Sequence, residues 1–118
     1  MPRFVILEHD HPVLHWDLML ERDGILRTWR LAKAPEAPVP VIAEPSFDHR
    51  LLYLDYEGPI SGGRGVIKRW DRGSYSVLDE NAGLTLRLEG ERLTGMFLLL
   101  QTRQNEWTFQ PLPSEPEA

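Results

Sequence analysis

Along most of the chain, apolar residues recur at every second position. From Val13 to Leu20, the residues Leu14, Trp16, Leu18 and Leu20 share one face, and His15, Asp17 and Met19 share the other. That alternation predicts a half-buried strand. Asp23-Gly24 is a turn signal, and Ile25 to Leu31 reads as the returning strand of a hairpin. The same reading predicts strands over 4–8, 51–56, 66–70, 74–78, 84–88, 93–100 and 107–110. Turn-forming groups separate them: Gly58-Pro59, Ser61-Gly62-Gly63, Arg72-Gly73, Asn81-Ala82-Gly83, Glu89-Gly90-Glu91 and Gln104-Asn105. Many short strands at near-regular spacing predict a mainly all-β fold, a compact antiparallel barrel of about six to eight strands with little helix. Lys33 to Ser46 carries Pro35, Pro38, Pro40 and Pro45. Proline donates no ladder hydrogen bond, so this stretch is expected to be a long loop or an extended crossover.

Composition narrows this picture without changing it. A chain of 118 residues has room for one core, and 42% hydrophobic with 26% charged residues is ordinary for a globular protein. The barrel is expected over 1–110, and the polar, acidic, proline-rich 111–118 as a flexible tail. Absence of cysteine excludes disulfides, thiol nucleophiles and cysteine-based zinc sites. No stretch reads as a signal peptide or a membrane span, so a cytoplasmic protein is expected. Thirteen Lys and Arg against 18 Asp and Glu give a net charge of −5. That balance argues against coating nucleic acid by charge, but it leaves room for a local cationic pocket that grips one phosphate.

The chemistry gathers near the N-terminus. His9, His11 and His15 crowd into seven positions beside Asp10 and Asp17. His15 and Asp17 lie two apart on a strand and leave the same face. Joined by a third ligand from the end of the preceding strand, they form a candidate N/N/O metal site of a kind that suits Mn²⁺, Fe²⁺ or Zn²⁺ and leaves positions open for substrate. The competing reading is a plain His–Asp hydrogen bond on a solvated face. His11, just before Pro12, reads as an exposed loop residue. Trp16, Trp29, Trp70 and Trp107 read as core or barrel rim rather than a base-stacking platform. Arg64, Lys68, Arg69 and Arg72 form a basic group that is either a solvated face or a backbone-contact patch.

Taken together these segments resemble a known family. FVILEHDHPVLHWDLMLERDG (from Phe4), LRTWRLAK (from Leu26), DHRLLYLDYEG (from Asp48), VIKRWDRGSY and LRLEGERLTGMFLLLQT are similar to the 3′-phosphoesterase domain of bacterial DNA ligase D. The resemblance runs from about Phe4 to Phe109. It rests on His-x5-His-x-Asp, His-x3-Tyr followed by Asp-Tyr-Glu-Gly, and Trp-Asp-Arg-Gly. It implies a β-barrel with a Mn²⁺-dependent site, with Zn²⁺ and Co²⁺ as alternative ions, that trims 3′ ends of DNA or ribonucleotide-tipped DNA in end-joining repair. It implies His9, His15 and Asp17 as metal ligands. Lys33, His49 and Tyr53 then contact the substrate phosphate: Lys33 offsets its charge, His49 stabilises the transition state or protonates the leaving oxygen, and Tyr53 donates a hydrogen bond.

Three positions depart from the family pattern. Met19 stands where the family has a phosphate-binding arginine, Val41 where it has a second, and Phe47 where it commonly has a glutamate. Arg50, Arg30 and Arg27 are the candidate replacements. Partners implied are DNA 3′ ends and, because the family domain is usually fused to ligase and polymerase domains, a DNA ligase or end-joining proteins in trans, with no membrane. One alternative is a catalytically weak or inactive module that binds metal and nucleic-acid ends. Another is a metal-dependent hydrolase of a different small phosphoester.

Overall fold

The computed structural model describes residues 1–36, 39–81, 83–103 and 105–112. Among the described residues nine strands follow one another: β1 (Arg3–His9), β2 (His15–Arg22), β3 (Ile25–Leu31), β4 (Val41–His49), β5 (Gly58–Pro59), β6 (Val66–Asp79), β7 (Gly83–Gly90), β8 (Thr94–Arg103) and β9 (Glu106–Pro111). All pairings are antiparallel, in the order β1-β2-β3-β4-β9-β8-β7-β6-β5. β1 also pairs with β6, which closes eight strands into a barrel and leaves the two-residue β5 as a flap on β6. Closure removes the exposed edges that an open sheet presents.

Two apolar clusters lie on opposite sides of one wall. Phe4 and Ile6 of β1, Leu18 and Leu20 of β2, and Trp29 and Leu31 of β3 point into the barrel, where Leu86, Leu88, Leu99 and Phe109 meet them. The alternate residues Val5, Leu7, Met19 and Leu26 point outward, and Leu54 and Ile67 cover them. β2 is therefore buried on both faces, not half-buried: His15, Asp17 and Met19 are each 5% exposed or less. Its predicted solvated face is roofed by the chain between Phe47 and Ile67. The exposed Leu14 lies before the strand.

Four local predictions are corrected, the shortest being Gly58-Pro59, expected as a turn but paired with β6 as β5. The segment 51–56 is not a strand; Leu51–Leu54 is a single 3-10 turn. Its run of leucine and tyrosine mimics a strand, but it packs one buried leucine on the outer cluster instead of pairing with a neighbour. The proline-rich stretch is not a loop in its second part, because β4 runs through Pro45, while Ala37 and Pro38 lie outside the described residues. β4 pairs with β9 only over Val41–Ala43, so by Pro45 it has one partner strand, β3, and a position there tolerates proline. Arg72-Gly73 is not a turn, because β6 passes through it as one 14-residue strand. Trp70 is an extra residue in the pairing of β6 with β1, and this bulge turns both Trp70 and Asp71 inward and breaks the period of two. Gly73 sits where a Cβ would lie 2.0 Å from the Glu89 carbonyl oxygen.

All four tryptophans belong to the barrel. Trp29 and Trp70 are buried, and Trp16 and Trp107 pack against the same core. Within the basic group, Arg69 pairs with Glu57 and Arg72 with Glu91. β9 includes Pro111, and the Leu112 N–H donates to the Met96 carbonyl, so the barrel reaches past residue 110. The expected tail from 113 onward, and the turn residues Ala82 and Gln104, lie outside the described residues. Among those described, no helix is long and apolar enough to cross a membrane.

Candidate functional site

The site follows from the register of three adjacent strands. His9 faces His15, and Leu7, Asp17 and Arg30 lie side by side across β1, β2 and β3. Cross-strand neighbours share a face, so this row projects onto the outer wall of the barrel and not into its lumen. The chain from Phe47 to Ile67 folds over the row and encloses a cleft of about 470 Å³. Its lining includes His9, Asp17, Arg30, His49, Arg50 and Tyr53.

At the floor of the cleft, His9, His15 and Asp17 bring one ligand atom each within 4.8 Å of one another. Asp17 Oδ2 is 3.2 Å from His15 Nε2 and 3.8 Å from His9 Nδ1. The remaining nitrogen of each ring is held by a backbone carbonyl. His15 Nδ1 is 2.8 Å from the Val13 carbonyl and His9 Nε2 is 2.7 Å from that of Arg64. A carbonyl only accepts, so those nitrogens carry the protons. With the outer nitrogens held in this way, His15 Nε2 and His9 Nδ1 face Asp17 and are the atoms that, once free of a proton, would turn lone pairs to an ion there, the outer-shell arrangement that orients imidazole ligands on metals. Two imidazoles and a carboxylate in a partly buried cluster fit a divalent transition ion.

The carbonyl of Arg64 reaches His9 because the loop before β6 presses against the turn after β1. Gly65 has φ +80°, and a Cβ there would lie 2.2 Å from Asp10 Oδ1 and 2.6 Å from His11 Cβ. Asp10 completes the junction by accepting the Val66 N–H at 2.8 Å. His11 is exposed in this turn, as expected of a loop residue, and edges the cleft outside the three-residue cluster.

His49 stands on the opposite wall at the end of β4. Its Nδ1 is 2.9 Å from Thr28 Oγ1, which itself donates to the Leu26 carbonyl. The hydroxyl proton being thus engaged, Thr28 accepts from Nδ1–H, and Nε2 is the nitrogen that Thr28 does not hold. Phe47 stacks on one face of His49, with centroids 4.6 Å apart and planes 20° apart, and Tyr53 meets the ring edge-on at 5.6 Å. Tyr53 is carried there by the 3-10 turn, not by the extended segment that its spacing predicts.

Electrostatics separate the buried His15 from the half-buried His49. Burial disfavours the charged form of His15, but hydrogen bonds to Asp17 and the Val13 carbonyl outweigh it, and its pKa is raised. Burial lowers the pKa of His49, only partly countered by the Asp17 charge. His49 is therefore neutral at pH 7 in the free protein.

The three candidate replacement arginines part company. Arg30 and Arg50 line the cleft. Arg30 Nε is buried with no hydrogen-bond partner among the described residues. Arg27 instead lies over the Trp29 ring at 4.9 Å, outside the cleft lining. Lys33 is exposed just beyond β3 and is not among the lining residues either. Met19 belongs to the outer apolar cluster and lines the cleft floor, and Val41 faces the barrel core. Sequence reasoning missed Thr28 and the Arg64 carbonyl. Thr28 was findable from the hairpin register, which sets it opposite Met19; a backbone acceptor leaves no signal in residue type.

Fold and cleft together define a class: a small closed antiparallel barrel with a His/His/Asp cluster and arginines in one outer cleft. The model of the DNA ligase D 3′-phosphoesterase domain matches residues 7–101, and the chain belongs to that family. It is 36% identical over 120 residues to the multifunctional non-homologous end joining protein LigD of Pseudomonas aeruginosa, covering 89% of this chain and 14% of the relative. It is 32% identical over 133 residues to the LigD of Mycolicibacterium smegmatis, covering 98% of this chain and 18% of the relative. The chain thus spans less than a fifth of the length of these curated relatives.

Proposed function

We propose that this protein is a divalent-metal-dependent phosphoesterase that processes 3′ ends of DNA, or of DNA tipped with ribonucleotide, in end joining. The observation that carries the reading is the pairing of the pre-oriented His9, His15 and Asp17 cluster with a wall bearing Arg30, Arg50, His49 and Tyr53 in one cleft. Family membership and the end-joining names of the relatives support the reaction class. His9 Nδ1, His15 Nε2 and Asp17 Oδ2 would hold the ion, for which Mn²⁺ is proposed, with Zn²⁺ and Co²⁺ as substitutes. Such an ion supplies Lewis-acid polarisation of a phosphate oxygen.

The protein's own residues do the rest. Arg30 and Arg50 bind and orient the phosphate oxygens, a planar guanidinium being suited to two of them at once. The unpartnered Arg30 Nε has a donor to give. His49 Nε2 is positioned to exchange a proton with the substrate: neutral in the free protein, it takes a proton more readily once a phosphate dianion sits beside it. Tyr53 Oη donates a hydrogen bond, and the roof over β2 limits water. Lys33, exposed beyond the lining, would act on charge at longer range. DNA 3′ ends are the proposed partner, with a ligase acting on the product.

The test is Mn²⁺-dependent release of phosphate or nucleoside from a primer-template ending in a 3′-phosphate or a 3′-ribonucleotide. Turnover is expected, and a His9→Ala, His15→Ala double variant should lose it. Equal rates for the two proteins would overturn the reading. The burial of Met19 among Val5, Leu7 and Leu26, offering no cation to the cleft, favours a second reading as a binding module. Metal-dependent binding of the same ends without turnover would select it.

A further inference from the structure

We propose that Phe47 is a stacking platform for the nucleobase of the terminal nucleotide, so that the cleft selects nucleoside-bearing phosphoesters over bare ones. The inference rests on the phosphoesterase reading of the same cleft and adds what lies next to the phosphate.

Phe47 is 72% exposed, although it belongs to a barrel that buries its other phenylalanines to 5% or less. Exposure alone marks nothing; the way this ring is held does. β4 outruns its pairing with β9 after Ala43, so its second half projects beyond that side of the barrel wall. Opposite β3, Phe47 and Asp48 together face Arg27 alone, a bulge between the Thr28–Ser46 and Leu26–His49 pairs. A bulge re-aims side chains at a site, and here it brings the Phe47 ring to the cleft lining. One face of the ring is fixed against His49, nearly parallel at 4.6 Å. Among the described residues no other ring or cation stacks on it. A rigid aromatic ring with one face occupied and the rest in water presents a platform that any base can cover.

The neighbours agree with this assignment. Phe47 is layered on His49, one of the groups proposed to face the phosphate, while Arg50 follows His49 in sequence and lines the same cleft. A terminal nucleotide carries base and phosphate a few ångströms apart, as these residues would require.

The test uses the full chain with Mn²⁺ and two oligonucleotides that end in a 3′-phosphate, one with a normal terminal base and one with an abasic terminal sugar. The quantity read is the ratio of their kcat/KM values, because disturbance of His49 would scale both rates and leave the ratio unmoved. Wild type should prefer the base by about 5-fold or more, the lower end of what a single stacked base contributes. Phe47→Ala should bring the ratio near one, and Phe47→Trp should restore it. A 2-aminopurine at the terminal position should be quenched on binding to wild type and not to Phe47→Ala. A wild-type ratio near one, or a ratio unchanged in Phe47→Ala, overturns the inference while turnover leaves the phosphoesterase reading standing. Absence of both turnover and binding overturns the two together.

Discussion

His15 is buried and His49 half-buried, both near Asp17, yet their protons are governed in opposite directions. His15 gains two hydrogen bonds to its charged form, whereas His49 has desolvation as its main influence. In the metal-free protein, His15 should titrate above the ordinary histidine value of about 6.5 and His49 below it. Their stability contributions have opposite signs. That of His15 is present below about pH 6.5 and is lost as pH rises through its raised folded pKa. For His49 the unfolded chain takes the proton first, so stability is lost as pH falls through about 6.5. An imidazole NMR titration checks both, and Asp17→Asn should lower both pKa values because Asp17 raises each. At the same scale, Met19 belongs to the outer apolar cluster and also lines the cleft, on the same face as Arg30, so Met19→Arg would set a second guanidinium at the cleft floor against apolar neighbours and should destabilise the fold by at least about 2 kcal/mol by denaturant unfolding. Arg30→Gln, which removes a charged phosphate contact worth about 1.5–3 kcal/mol, should lower kcat/KM by roughly 10- to 150-fold. Alternation in the sequence placed His15 and Asp17 on one face with histidines crowded beside them, whereas His49 and Tyr53, unremarkable alone, were singled out only by the family resemblance. That Arg30 and Arg50 reach the cleft while Arg27 does not depends on which face each occupies in the folded sheet.

Among the elements, β6 carries the most concentrated structural device. Asp71, 1% exposed at the Trp70 bulge, accepts the backbone N–H groups of Arg72, Glu91, Arg92 and Leu93 at 2.8–2.9 Å. One carboxylate thereby ties the bulge to the turn between β7 and β8. Asp71→Asn replaces an acceptor oxygen with a donor facing these N–H groups, and should cost about 2–3 kcal/mol of stability in urea unfolding, with retained metal affinity in the folded protein. Most strands were visible from alternation alone. The exceptions share one cause, since each is a place where something other than the period of two decides. At Trp70 a bulge puts neighbouring residues on one side, at Pro45 the loss of a partner strand admits a proline, and at Leu51–Leu54 packing on the outer cluster replaces pairing.

For the molecule as a whole, the net charge of −5 sits beside a cleft whose arginines are few. Two of the cationic residues elsewhere, Arg69 and Arg72, are already paired with glutamates. Binding to a duplex end should therefore neutralise only a few phosphates. The slope of log Kobs against log salt is expected to be no steeper than about −3, at roughly −0.9 per phosphate contact. A fluorescence-anisotropy salt series measures it, and a slope near −6 would place contacts well outside the cleft.

Sequence alone determined the all-β class, because alternation is a local consequence of strand geometry, and it marked the metal-type cluster, because residue types and short spacings carry that chemistry. What only the tertiary structure decided was where the cluster lies and what surrounds it. Closure of β1 onto β6, and the fold of residues 47–67 over the outer wall, join positions far apart in the chain. Those contacts bury the second face of β2, supply the Arg64 carbonyl to His9, and set Phe47 against His49. Such relations depend on register between distant strands, and no residue signals its distant partner by its own identity.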